Sequence, residues 1–132
     1  MKRFGLMLPA MLALASLVAC GGDTVLGPDN QLQVGNAADN FQWQASNLSG
    51  VTQTLNYTWS NSGTVAHVDH SSSITGGTAT LTIKDAASAQ VYTGSLAGAS
   101  ADTGAGTAGN WTIEVRLSGV TGTLNFRVQK KP

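Results

Sequence analysis

The feature that most constrains this chain is a period of two. Past residue 30, apolar and polar side chains alternate in one segment after another, and the i, i+3, i+4, i+7 spacing of an amphipathic helix is absent. Phe41, Trp43 and Ala45 share one face against Gln42 and Gln44, and Val51, Leu55, Tyr57 and Trp59 oppose Thr52, Thr54, Asn56 and Thr58. A weaker strand is expected around Val65 to Ile74, then Ala79, Leu81 and Ile83 against Thr80, Thr82 and Lys84, then Val91 and Tyr92. Trp111, Ile113, Val115 and Leu117 complete the pattern with Leu124, Phe126 and Val128. Seven strands result, or eight if Gln31–Val34 pairs, separated by turns at Ser62-Gly63 and Gly76-Gly77. Parallel sheets need crossover helices, so the expected fold is all-β, an antiparallel sandwich of jelly-roll-like character.

The N-terminus follows a different logic. Lys2 and Arg3 precede an apolar run from Phe4 to Ala19, 16 residues, short of the ~20 that span a bilayer as a helix. A positive start, a short apolar core and small residues before a cut site make a secretory signal. Leu17, Val18, Ala19 and Cys20 resemble the bacterial lipobox. That resemblance implies cleavage between Ala19 and Cys20, acylation of Cys20, and a lipoprotein of the cell envelope. Gly21 in place of the inner-membrane retention aspartate implies the outer membrane, with the domain facing the periplasm or the surface. Cys20 is the single cysteine of the chain, so an internal disulfide is excluded and lipidation gives the thiol a use. The expected organisation is a signal peptide over 1–19, lipidated Cys20 with a Gly/Pro-bearing tether over 20–30, and a sandwich over 31–132.

Removing 1–19 leaves five cations against seven anions, which gives no basic footprint for nucleic acid. Only 11% of residues are charged, so the alternation, not the composition, separates this chain from a disordered one.

Residues Leu48 to Asn56 read LSGVTQTLN and Leu117 to Asn125 read LSGVTGTLN, eight of nine matching at an offset of 69. Each is flanked by two alternating segments, so each is expected to be a hairpin turn. Spacing differs at the first: Ala45 and Leu48 are three apart and cannot share a face in a regular strand. A β-bulge near Ser46-Asn47 is expected to restore the parity. In the second hairpin, pairing Leu117 with Leu124 would set Val115 opposite Phe126 and Glu114 opposite Arg127.

The pieces Asp39-Asn40-Phe41-Gln42-Trp43, Leu81-Thr82-Ile83-Lys84-Asp85, Gly109-Asn110-Trp111-Thr112-Ile113-Glu114-Val115 and Gly122-Thr123-Leu124-Asn125-Phe126-Arg127-Val128 resemble bacterial pre-peptidase C-terminal domains. The likeness implies a β-sandwich with a non-enzymatic accessory role.

His67, Asp69 and His70 hold the ligand chemistry of the mature chain. On a strand His67 and Asp69 share a face and are the candidate metal ligands, but zinc takes three or four protein ligands. Solvated polar residues on an edge strand are the simpler reading, and no metal or cofactor is expected. Asp85 and Asp102 lack the spaced acids of a calcium loop, and Asp85 reads as a turn residue after a strand. Trp43, Trp59 and Trp111 fall on apolar faces and read as core rather than sugar-stacking platforms, with Tyr92 on the opposite parity to Val91. Ser71-Ser72-Ser73 has no glycine-flanked elbow, so no catalytic triad, and no enzymatic activity, is expected. The Ala97–Gly109 stretch, nearly all Ala, Gly, Ser and Thr, is expected to be a mobile loop. Function is therefore expected to be that of an envelope-anchored structural or interaction module with a protein or glycan partner. The alternative is a lipoprotein that binds a small ligand, a glycan or a metal.

Overall fold

The computed structural model describes residues 25–132. Ala19 and Cys20, with the signal peptide and cleavage site, lie outside the described residues. Among the described residues a 3-10 turn, Pro28–Asn30, precedes seven strands: β1 Gln33–Ala37, β2 Asn40–Asn61, β3 Ala66–His70, β4 Ser73–Lys84, β5 Gln90–Ser95, β6 Ala101–Asp102 and β7 Gly109–Lys130. All pairings are antiparallel. One path through the sheet runs β1-β2-β7-β3-β6, and β4 pairs with both β7 and β5.

The all-β antiparallel architecture agrees with the alternation, but the chain paths do not. β2 and β7 are each 22 residues long, and each runs straight through its LSGVT segment. The expected hairpins at Leu48–Asn56 and Leu117–Asn125 are absent, because β2 and β7 pair with each other along their length. Leu117 faces Gln53 and Leu124 faces Ala45, while Val115 faces Leu55 and Phe126 faces Trp43. Glu114 lies opposite Asn56 and Thr82, and its cation is Arg116 on the same strand, 3.5 Å away. Gly76-Gly77 is likewise inside β4, at two register shifts, and not a turn.

What looked like turns is a fold line across the sheet. Trp43 and Tyr57 belong to one strand and are 14 positions apart, a separation of about 45 Å if it were straight. Yet Trp43 Nε1 donates to the Tyr57 hydroxyl at 2.8 Å, and the Phe41 and Tyr57 rings are 5.3 Å apart. The sheet therefore doubles over on itself as two layers. One contains β1, β3, β6 and the Asn40–Ala45 and Leu124–Lys130 ends of the long strands. The other contains β4, β5 and their Gln53–Asn61 and Gly109–Leu117 ends. Between the layers sit Phe41, Trp43, Trp59, Leu81, Ile83, Trp111, Ile113 and Phe126, all essentially without solvent exposure. The alternation places these residues inward from both layers, and Trp59 meets Trp111 edge to face at 6.0 Å.

The fold line is built by reciprocal contacts. Leu48 pairs with Gly122, Gln53 with Leu117, and Val51 with Val120. Applying the offset of 69 converts the first pair into the second and maps the third onto itself, so the two segments cross about a local pseudo-dyad at Val51/Val120. The same operation exchanges two hydrogen bonds. Gly50 N donates to Thr121 Oγ1 at 3.1 Å and Gly119 N to Thr52 Oγ1 at 2.9 Å. Both glycines are left-handed, φ +62° and +59°, which re-aims each strand at the crossing.

The bulge expected at Ser46-Asn47 is present. Two residues between Ala45 and Leu48, Ser46 and Asn47, oppose the single residue Thr123 between Leu124 and Gly122, and Asn47 has φ 55°. The carbonyls that the bulge frees are filled from the segment ahead of β1: Asn30 Nδ2 donates to Ser46 O at 3.0 Å and Asn47 O at 2.9 Å. Asn30 is buried, and Leu26 packs on the core and donates its N–H to Gln53 Oε1 at 2.8 Å. The packed domain thus begins near Leu26, and the end of the 20–30 tether is docked on the bend.

Candidate functional site

His67 and Asp69 do share a face of β3, with His67 Nε2 3.2 Å from Asp69 Oδ1. The structure adds Asp102 from β6, whose Oδ1 is 2.7 Å from His67 Nδ1, and Lys131, whose ammonium donates to the other Asp102 oxygen. Register brings Asp102 in, since His67 pairs with Asp102 across the β3/β6 ladder; nothing within the chain's linear order marks that partnership. The two carboxylates grip opposite nitrogens of one ring. They therefore do not converge on a point where an ion could sit, and among the described residues no group of three His, Cys, Asp or Glu is arranged to hold a metal. The arrangement favours the imidazolium: the Asp102 hydrogen bond, and then Asp69, raise the His67 pKa above its usual value of about 6.5. Lys131 and then His67 hold Asp102 below the usual carboxylate range, and the Ser100 hydroxyl and His67 do the same for Asp69. Chemically this is a charge-assisted tie between β3, β6 and the residue that follows β7.

The remaining candidates find structural duties. Asp85 caps the turn after β4, accepting from Ala87 N and Ala89 N at 2.9 and 2.8 Å and from Thr107 N at 2.8 Å. These N–H donors, Thr107 first, lower its pKa. The Ala97–Gly109 stretch is correspondingly tied down rather than loose. Thr103 N donates to Ala66 O, Gly104 N to Val91 O and Gly106 N to Thr64 O, so it bridges the β3 and β5 sides of the two layers. Small residues suit that role because the backbone itself makes the contacts. Ser72 sits where β3 breaks from β4, and its hydroxyl accepts from Asn125 N at 3.0 Å. Trp43, Trp59 and Trp111 are buried and offer no stacking platform. His70 Nε2 lies 3.2 Å from the half-buried Tyr92 hydroxyl, whose pKa burial raises.

Sequence reasoning missed a feature on the outer face of the first layer. Between Gln33 and Gly35 on β1, Gln42 and Gln44 on β2, and Asn125 and Arg127 on β7 lies an open depression of about 390 Å³. A second, about 270 Å³, adjoins Asp69, His70 and Ser71 and shares Asn125 and Arg127 with the first. Together they form a trough crossing β1, β2, β7 and β3. Gly35 stands between these side chains with no Cβ of its own. Its floor is ordered: Asn125 Nδ2 donates to Gln44 Oε1 at 3.3 Å, and Ser71 N donates to Asn125 O at 2.9 Å. The signal in the sequence is the polar half of each alternating strand (Gln42, Gln44, Asn125, Arg127), which shows which face they share but not that four strands align there.

Comparison with protein-family models, with curated proteins and with solved structures finds no match to this chain.

Proposed function

We propose that this protein is a lipid-anchored, non-enzymatic binding module of a bacterial cell envelope, held in the outer membrane through acylated Cys20, whose working surface is the amide-lined trough. The observation that carries the binding reading is the trough itself: an open polar groove that, among the described residues, no side chain fills. Side-chain amides offer a donor and an acceptor side by side, the pairing that sugar hydroxyls require, and an envelope glycan is the partner that suits it. The lipobox resemblance at Leu17–Cys20 supports the anchor, and the likeness to pre-peptidase C-terminal domains supports an accessory rather than catalytic role.

Two measurements test the two parts. Cys20→Ala should move the protein from the membrane to the soluble fraction or stall its processing; unchanged partitioning would overturn the anchor. Gly35→Tyr fills the trough, and Gly35 accepts a Cβ without clash, with Gln42 Cβ 3.8 Å away. The full-length protein should bind isolated envelope polysaccharide and the Gly35→Tyr variant should not, at equal thermal stability. Equal binding by both would remove the trough from the reading.

A further inference from the structure

We infer that the trough selects glycans bearing carboxylate groups, with Arg127 as the carboxylate anchor. This rests on the trough being a glycan-binding surface. Arg127 is exposed between buried Phe126 and Val128 and occupies the centre of the trough, lining both depressions. Among the described residues it takes part in no ion pair. The nearest anion is Asp69, directly opposite on β3, whose carboxylate lies 3.2 Å from His67 Nε2 and feels Arg127 only as the weakest of the influences that lower its pKa. The second carboxylate on this face, Asp102, is engaged by His67 and Lys131. Neither carboxylate forms an ion pair with Arg127, which leaves the guanidinium fork open for an anion from outside. A planar fork binds a carboxylate through two parallel N–H donors, a geometry that an ammonium does not reproduce.

The flanking groups select the rest of the ligand. Gln33, Gln42, Gln44 and Asn125 line one side of the cation with neutral amides, matched to hydroxyls beside a carboxylate, and Ser71 and His70 lie on its β3 side. Crossing four strands gives the trough a length of about 14 Å, enough for a short oligosaccharide. Its direction lies across the strands on a sheet face rather than along a free edge, so an extended peptide pairing by backbone ladder would not follow it.

The test uses full-length, detergent-solubilised protein and two forms of one polymer, polygalacturonate and its methyl ester, which differ only in the charge of the carboxyl group. Wild type should bind polygalacturonate about tenfold or more tightly than the ester, the value of a charge-assisted hydrogen bond. Arg127→Gln should abolish that preference while keeping affinity for the ester, and Arg127→Lys should retain only part of it. Equal affinity of wild type for both forms would overturn the carboxylate anchor and leave the glycan reading standing. Failure to bind either form, with Gly35→Tyr equally blank, would overturn both.

Discussion

The segments Leu48–Asn56 and Leu117–Asn125 differ at one position of nine, and their surroundings explain why. They perform the same task, a crossing about Val51/Val120 sealed by exchanged bonds between Gly50 and Thr121 and between Gly119 and Thr52. The odd position is Gln53 in the first and Gly122 in the second. At Gly122 a third strand passes close by: β4 pairs on the far side of β7, and a Cβ there would stand 2.2 Å from the Ser73 carbonyl oxygen, at φ +136°. At Gln53, among the described residues, no strand lies beyond β2, since β1 reaches only as far as Gln44. There a side chain has room, and its amide oxygen holds Leu26 N. An identical bend thus tolerates a side chain where the strand is at the sheet's border and excludes one where the strand is central.

The largest effect expected from this contrast is at Gly122. Gly122→Ala combines backbone overlap with an unfavourable φ and should cost about 3 kcal/mol or more, visible as a large drop in urea midpoint. Gln53→Ala should cost only about 0.5–1 kcal/mol, the loss of one partly exposed hydrogen bond. Comparable losses at the two sites would break the border-versus-centre explanation.

A smaller effect sharpens the pseudo-dyad. Thr52→Val and Thr121→Val each delete one of the exchanged acceptors while keeping β-branched shape, and each should cost about 0.5–1 kcal/mol. If only one of the two substitutions lowers the midpoint, the crossing is not symmetric in energy, whatever its geometry.

Least in size is a difference between the layers in response to pH. The first layer carries the His67 tie to β6; the second has no histidine. Because the His67 pKa is raised in the folded state, its contribution is complete below its unfolded value of about 6.5 and is lost as pH climbs through the higher folded value. Asp69 and Asp102 are lowered, so their contribution is present above about 3.9 and fades as pH falls through their folded values. The tie is therefore firmest between about pH 4 and 6.5. Hydrogen exchange at Thr103 N, which donates to Ala66 O beside the tie, should accelerate above that window beyond the intrinsic rate. His67→Gln should remove the excess, and a pH-independent protection factor in the wild type would refute the tie's role.

How much of this was legible depended on whether the signal was local. The buried faces of Phe41/Trp43/Ala45 and Trp111/Ile113/Val115/Leu117 followed from strand parity alone, and so did the bulge, because a three-residue spacing between Ala45 and Leu48 has no other solution in a paired strand. His67 and Asp69 could be placed together for the same reason. Asp102 could not, since its partnership with His67 is a property of the β3/β6 ladder, and neither could the trough, which exists only where β1, β2, β7 and β3 align.

The sequence by itself determined the period of two, hence strands, inward faces and most of the core, though not Leu96 or Val120, which are buried as well. Tertiary structure decided whether Leu48–Asn56, Leu117–Asn125 and Gly76-Gly77 reverse the chain or merely bend it. A glycine-bearing polar segment between two alternating runs satisfies both outcomes locally. The choice depends on which strand supplies the hydrogen bonds across the ladder: the two repeated segments are each other's partners, crossing at Val51/Val120, and Gly76-Gly77 is held by Ser118–Thr121 of β7, rather than by the next segment along the chain.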